Sequence, residues 1–436
     1  MINTSKSLIQ NLVWRGLFHI SALILNICIA KHFHASVSGS IYYISALYAF
    51  LLLITSFSLE SGIIHFAAKK EVAKSRLFGF SLLWSLIVGI AVLICANFIF
   101  TSAYKGIPSS LILISSVTFI GGNLLMTYCS GLFYAENNFY VPNLINFVST
   151  SCLIIVLPFH GRSIIPFVND GNYFYVYFSS FLVQGICIAI WAKIKYIRSN
   201  SLQLPSGVEF RLLVRYSALA FLGNILYFLL CRIDYFFVSE YCSAAQLGNY
   251  IQVTKLGQLL LVVPLIMAMI VFSHASNPST IRGLEKLQIL CRLMTVFFIS
   301  ISLALILSGK WLFPWLFGTG FSDMYQVMLN YLPGFFSLSI VTLLAAYIAG
   351  KAMQRYNIFA SALSFIVVVI GDRLLIPGYG INAAGAVSSV AYFVCMLYLL
   401  RIFSVKMEIS WRNFFLPKRS DFKLVIALIN KNLSNR

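Results

Sequence analysis

The sequence of 436 residues is 60% hydrophobic and only 10% charged, whereas soluble globular chains carry roughly 25% charged residues. Together with a mean hydropathy of +0.89, this excludes an ordinary soluble protein. The formal charge of +19 would indicate nucleic acid in a soluble chain, but here most basic residues lie in short loops between apolar runs. Membrane topology explains that pattern, so no nucleic-acid partner is expected.

Apolar runs bounded by proline, glycine and charged residues predict an all-α membrane protein of about twelve transmembrane helices. The first six predicted spans are residues 8–30, 41–64, 77–100, 111–133, 144–159 and 173–194. The second six are residues 212–238, 247–272, 289–307, 327–349, 358–376 and 381–403. No small-residue cleavage site follows the first run, so it is interpreted as a retained helix and not as a secretory signal.

The spans divide into an N-terminal lobe (1–200, helices 1–6), a C-terminal lobe (201–405, helices 7–12) and a basic tail (406–436). Gly39 with Tyr42, at the start of span two, is similar to Gly248 with Tyr250 at the start of span eight, about half a chain later. Such a repeat is typical of transporters whose site lies between the halves. We therefore expect two six-helix lobes around a central cationic cavity.

Lysine and arginine are distributed unequally between the predicted loops. The predicted outer loops contain four of the 31 basic residues, namely Lys31, Lys105, Arg162 and Lys310. This bias predicts that both termini are cytoplasmic and that the basic tail lies near anionic lipid headgroups.

The sequence contains few features that are typical of an enzyme. No loop is long enough to contain a catalytic domain, and no phosphate-binding lysine motif, serine nucleophile motif or zinc-binding helix motif is present. The nine cysteines are scattered without CxxC spacing. We therefore expect no catalytic residues, no metal and no cofactor.

Two cations are predicted inside the membrane, Arg232 near the outer end of span seven and Lys255 in span eight. At 1.5 Å per residue both lie roughly 10 Å below the outer surface. Arginine binds a phosphate through two hydrogen bonds and lysine acts as a point charge, so the pair would suit a pyrophosphate. The alternative is that Arg232 pairs with a carboxylate and Lys255 extends outward to the interface.

Other intramembrane charges predict ion pairs. Asp372 and Arg373, near the end of span eleven, could form crossed pairs with Arg232 and Asp234, because Asp234 and Arg232 do not face each other on one helix. The alternative role for Asp234 is proton or cation coupling, and Arg373 is a further candidate for substrate binding.

A second group of charges lies near the cytoplasmic side. Arg15 has His19 one turn above it in span one, and Glu60 lies at a similar depth in span two. An Arg15–Glu60 pair could open when a pyrophosphate arrives, or it could be permanent. Arg15 is therefore a candidate substrate-binding residue, and Glu60 and His19 are candidates for coupling or ion pairing.

Several stretches resemble the Wzx-type polysaccharide flippases, whose superfamily includes lipid II flippases and multidrug and toxin extruders. The matching features are Arg232 and Asp234 before an aromatic helix end, Leu247-Gly248-x-Tyr250, Pro264, Phe317-Gly318 with Phe321, the run Ile376-Pro377-Gly378-Tyr379-Gly380-Ile381 followed by Gly385 and Ala386, and GLFYAENNF from Gly131 to Phe139. The two additional C-terminal helices typical of lipid II flippases are not seen. This difference favours an O-antigen or capsule flippase.

The resemblance implies a protein of the bacterial inner membrane that flips undecaprenyl-pyrophosphate-linked oligosaccharide repeat units in lipopolysaccharide or capsule biosynthesis. It implies a lipid-linked oligosaccharide substrate and membrane lipids as partners, with the polymerase and chain-length regulator of the same pathway as further candidates. A multidrug or organic-cation extruder of the superfamily and an O-antigen polymerase are the alternatives.

Overall fold

The computed structural model describes residues 2–100, 109–136, 138–159, 170–197, 203–276, 283–416 and 418. Every regular element in these ranges is helical. Nine helical segments within them are long and apolar enough to cross a membrane. The prediction of an all-α membrane protein is therefore confirmed.

The helices follow the apolar runs of the sequence. The first half contains α1 (Ile2–Ser56), α2 (Leu59–Lys69), α3 (Lys74–Phe100), α4 (Ser109–Tyr134), α5 (Tyr140–Val156) and α6 (Asp170–Tyr196). The second half contains α7 (Gly207–Tyr241), α8 (Ala244–Leu260), α9 (Val262–Ser276), α10 (Gly283–Phe317), α11 (Met324–Gly350), α12 (Arg355–Met407) and the short α13 (Arg412–Phe415).

Two of these helices are much longer than a single span. Helix α1 contains predicted span one and most of span two, whose last residues lie in α2, and it is interrupted at His34, where φ is 59°. Helix α12 contains predicted spans eleven and twelve and is interrupted at Gly380, where φ is 62°. Glycine adopts such a φ without steric cost, whereas a side chain such as that of His34 does so rarely.

The eighth predicted span is divided into two helices. Helix α8 ends at Leu260 and α9 begins at Val262. Pro264 explains the division, because proline has no N–H to donate to the carbonyl four residues earlier and its ring clashes with that carbonyl. The carbonyl concerned belongs to Leu260.

The described residues form two compact units. The first contains Met1–His34 and Ile41–Ile225, and the second contains Ala35–Ser40 and Leu226–Arg436. The N-terminal part of α7 belongs to the first unit, where Tyr216 stacks on His65 with ring centroids 4.2 Å apart. The lobe borders that the sequence predicts remain predictions.

Glycine permits close helix packing in both units. In the first, a Cβ on Gly122 of α4 would lie 2.5 Å from the carbonyl oxygen of Phe181 in α6. In the second, a Cβ on Gly248 of α8 would lie 2.0 Å from the carbonyl oxygen of Ala35. No side chain larger than hydrogen fits at either position unless the backbone moves.

A C-terminal strap, residues 408–416, packs against the second unit. Phe414 is fully buried, and its ring lies 5.4 Å from that of Phe403. The buried Arg292 of α10 donates a hydrogen bond of 2.7 Å to the carbonyl oxygen of Asn413. The strap therefore satisfies part of the hydrogen-bonding capacity of a buried guanidinium.

Candidate functional site

Asp234 of α7 is fully buried in the second unit and accepts hydrogen bonds from several helices. Its Oδ1 accepts the backbone N–H of Tyr235 at 2.9 Å. Its Oδ2 accepts the hydroxyl of Tyr250 from α8 at 2.5 Å and that of Tyr331 from α11 at 3.0 Å. The Ser388 hydroxyl of α12 lies 3.5 Å from the same oxygen. One carboxylate therefore connects four helices.

The two tyrosines also contact each other, since their hydroxyl oxygens are 3.0 Å apart. Both side chains are almost completely buried. Sequence reasoning singled out Tyr250 only as part of a turn motif and did not identify Tyr331 as a site residue. A buried tyrosine hydroxyl needs a partner, but the sequence alone does not indicate that this partner is Asp234, since Glu240 lies nearer to Tyr250 along the chain.

Arg232 and Lys255 lie close enough in the second unit for their charges to interact. Both residues are half-buried. Arg232 donates a hydrogen bond to the Tyr235 hydroxyl, and its guanidinium carbon lies 4.9 Å from the centre of that ring. The Tyr235 hydroxyl also contacts the hydroxyl of Thr254, the neighbour of Lys255 in α8. We call Arg232 and Lys255 the cation pair.

Asp372 of α12 is a second buried carboxyl group in this unit. It is fully buried, and neither of its oxygens has a hydrogen-bond partner among the described residues. It interacts electrostatically with Asp234. The expected ion pair between Asp372 and Arg232 is therefore wrong.

The second expected crossed pair, between Arg373 and Asp234, is also wrong. The Arg373 side chain is 62% exposed and lies 3.9 Å from Glu240, and it donates a hydrogen bond to the Tyr241 hydroxyl. Successive helical residues point about 100° apart. Because Asp372 points into the unit, Arg373 cannot also do so. A role for Arg373 in substrate binding stays a prediction.

The predicted residues of the first unit are only partly described. Glu60 lies in the first turn of α2, and its Oε2 is buried without a hydrogen-bond partner in the described part of the chain. It interacts electrostatically with Tyr128. Arg15 lies in α1, but its side chain is outside the described residues, so the expected Arg15–Glu60 pair is untested. His19 packs beside Phe18, with ring centroids 5.4 Å apart.

Metal ligands do not gather in the described ranges, where no three His, Cys, Asp or Glu side chains come together to hold an ion. The described part of the second unit instead brings together two cations, two carboxyl groups, and tyrosine hydroxyls that contact Asp234 and Arg232. Such an arrangement can bind anionic and cationic groups but offers no activated nucleophile.

No protein-family model and no curated protein sequence matches this chain. Several solved structures, however, match the fold of this chain. The lipid II flippase MurJ, in an inward closed conformation, superposes with a TM-score of 0.77 at 16% identity over 93% of this chain and 89% of that one. An inward-facing multidrug resistance MATE family transporter of the MOP superfamily gives a TM-score of 0.71 at 14% identity over 90% and 96%.

A third neighbour is a MOP superfamily transporter from Pyrococcus furiosus, which is described as having a binding pocket of reverse polarity. It gives a TM-score of 0.60 at 17% identity over 92% of this chain and 95% of that one. At these identities the likeness establishes the fold alone. The chain therefore has the two-lobed, all-helical fold of these solved MOP-superfamily proteins.

Proposed function

We propose that this protein flips undecaprenyl-pyrophosphate-linked oligosaccharide repeat units, of O-antigen or capsule, from the cytoplasmic to the periplasmic leaflet of the bacterial inner membrane by alternating access. The observation that carries the proposal is the cation pair, two half-buried basic residues whose charges interact, on a fold shared with a lipid II flippase. Two like charges this close repel each other, which favours the binding of an anion beside them, and Asp234 already acts electrostatically on Arg232. An incoming phosphate would therefore compete with that carboxylate for the pair.

A pyrophosphate fits the chemistry of this pair. Arg232 is held by the Tyr235 hydroxyl and ring, which orients a planar group able to bind two phosphate oxygens at once. Lys255 would add a point charge for the second phosphate. The polyprenyl tail would stay in lipid, while the head group enters the protein.

The carboxyl groups provide a means of coupling. The sequence contains no phosphate-binding lysine motif of an ATPase, so an ion gradient or the membrane potential would have to drive net movement. Asp234 and Asp372 interact electrostatically, and Asp372 has no described hydrogen-bond partner. A buried carboxyl group in this state favours a proton or a bound cation. We propose these two residues as the coupling residues.

The lysine and arginine bias supports cytoplasmic termini. In that orientation the substrate would come from glycosyl transfer at the inner leaflet. The released repeat unit would pass to a polymerase working with a chain-length regulator. These partners follow from the proposed substrate.

A multidrug or organic-cation extruder is the second candidate. It is favoured by the likeness to a multidrug transporter and by the two buried carboxyl groups, which could bind a cationic drug. The cation pair opposes it, because Arg232 and Lys255 would repel such a compound. A polymerase is less well supported, since its catalytic groups would require a substantial loop.

Accumulation of lipid-linked repeat unit tests the proposal. Cells that lack the protein would be complemented with wild type, Lys255→Ala or, as a control, Lys310→Ala, which changes an exposed lysine of α10. We expect repeat units to accumulate on the cytoplasmic leaflet in uncomplemented and Lys255→Ala cells only. Repeat units that reach the outer leaflet without the protein would refute the flippase reading, and efflux of organic cations by wild type would support the second candidate.

A further inference from the structure

A group of lysines gathers at one end of the first unit, far along the chain from the cation pair. Lys70 and Lys74 flank the turn between α2 and α3. Glu136 follows α4, and Lys195 lies in the last turn of α6. We call these four residues the lysine cluster. The lysine and arginine bias predicts that this end is cytoplasmic.

Aromatic rings and one carboxylate hold the cluster together. Lys74 donates a hydrogen bond to Glu136, and its Nζ lies 4.7 Å from the centre of the Tyr196 ring. The Lys195 Nζ lies 5.5 Å from the same ring and 6.0 Å from the Phe133 ring. Cation–π contacts at these distances restrain the ammonium groups, so they do not move as freely as ordinary surface lysines.

The three lysines of the cluster all act electrostatically on Glu136. The hydrogen bond from Lys74 is the main cause that lowers the pKa of Glu136, and the charges of Lys74, Lys70 and Lys195 lower it further. Three ammonium groups from different segments therefore share a single carboxylate. The single negative charge of Glu136 balances only one of these three positive charges.

Neighbouring carboxylates at this end already have basic partners. Glu71 lies 3.7 Å from Lys69, and Glu209 lies 2.8 Å from Arg76. Among the residues described here, no further carboxylate contacts the lysine cluster. Two positive charges, those of Lys70 and Lys195, are therefore available to an anion.

We propose that the lysine cluster binds a phosphate or pyrophosphate group and is an anion site separate from the cation pair. Ammonium groups that gather at one end of the first unit, two of them against aromatic rings, are suited to phosphate oxygens, which accept several hydrogen bonds and carry more than one charge. Two sources supply this chemistry at a membrane surface. One is the headgroup of an anionic lipid, and the other is the pyrophosphate of a lipid-linked substrate.

The test uses the full-length protein in a neutral detergent, with Lys255→Met as the background so that the cation pair contributes less to binding. Inorganic pyrophosphate and dihexanoyl phosphatidylglycerol are titrated separately by calorimetry. In this background we expect the double change Lys70→Gln with Lys195→Gln to weaken binding about tenfold, since each exposed charge contributes up to about 1 kcal/mol. The matched control Lys193→Gln, an exposed lysine of the same helix end, leaves binding within about twofold.

The substitution Glu136→Gln should change the affinity for the anion in the opposite direction. It removes the competing carboxylate without removing a lysine, so we expect tighter binding. This gain also distinguishes a binding site from simple loss of folding. Phosphatidylglycerol binding alone would identify a lipid headgroup site, and pyrophosphate binding would identify a substrate site. If neither ligand binds, or if the double variant binds as the Lys193→Gln control does, the proposal is wrong, whatever the outcome of the flipping assay.

Discussion

Two replacements of Asp234 distinguish the role of its negative charge from the role of its hydrogen bonds. Asp234→Asn removes the charge, and Asp234→Leu removes both the charge and the hydrogen-bond acceptors. In Asp234→Asn the side-chain oxygen can still accept the Tyr235 N–H, while the new amide faces the hydroxyls of Tyr250 and Tyr331, which can rotate to accept its hydrogens. The loss is then the difference between charge-assisted and neutral hydrogen bonds, about 1 kcal/mol for each tyrosine. We expect a destabilisation of about 2 kcal/mol together with loss of coupled transport.

Asp234→Leu removes both acceptors. The hydroxyls of Tyr250 and Tyr331 are 3.0 Å apart, so one can still donate to the other. The carboxylate oxygen that accepts both of them, and that lies 3.5 Å from the Ser388 hydroxyl, is however lost, so buried hydroxyls compete for fewer acceptors. An unsatisfied buried donor costs about 1 to 3 kcal/mol, which adds to the lost bonds. We therefore expect Asp234→Leu to be clearly less stable than Asp234→Asn.

The assay is thermal unfolding of the purified protein in detergent, followed by tryptophan fluorescence, beside the repeat-unit accumulation assay in cells. Tyr331→Phe is the control, because it removes one donor and keeps the carboxylate; we expect it to lose stability but keep coupling. Wild-type transport by Asp234→Asn would refute the coupling role. Equal stability of the Asn and Leu variants would refute the structural account of the hydroxyl contacts.

Three further predictions concern other parts of the structure. Gly248→Ala should lower the melting temperature and the yield of folded protein, because its Cβ would lie 2.0 Å from a backbone oxygen, whereas Gly89→Ala meets nothing within 4 Å and should be neutral. Arg292→Met should speed amide hydrogen exchange around Asn413 in the strap, and unchanged exchange would contradict the contact. The lysine contacts lower the pKa of Glu136, so they should stabilise its turn fully at pH values above the ordinary glutamate pKa. This stabilisation should be lost as the pH falls through the lowered pKa of Glu136 in the folded protein. Hydrogen exchange of that turn at acidic pH checks this, and Glu136→Gln should abolish the dependence.

The helices could be predicted from the sequence because the length of an apolar run is itself the physical requirement for a span. Every predicted span lies at least partly in an observed helix. The apolar pattern does not predict the conformation of the residues between two spans. Residues 31–40 were expected to be a loop, yet α1 continues through them apart from the interruption at His34.

The site was predicted less completely, for two reasons. Arg232 and Lys255 could be placed at one depth by counting residues along their helices, and their charges do interact. Depth alone does not give helical phase. Arg373 follows the buried Asp372 and therefore points to another face of the helix, which excludes the predicted pair with Asp234. Tyr331 is separated from Asp234 by 97 positions, and its aromatic ring among apolar residues is indistinguishable in the sequence from a core residue.

The strap has a consequence for biosynthesis. The carbonyl group of Asn413 that accepts the Arg292 hydrogen bond lies 121 residues later in the chain. At a translation rate of about 5 to 20 residues per second, that acceptor is made roughly 6 to 24 seconds after the arginine. Helix α10 is therefore synthesised well before this contact can form. The second unit therefore reaches its final packing only after nearly all of the protein has been synthesised.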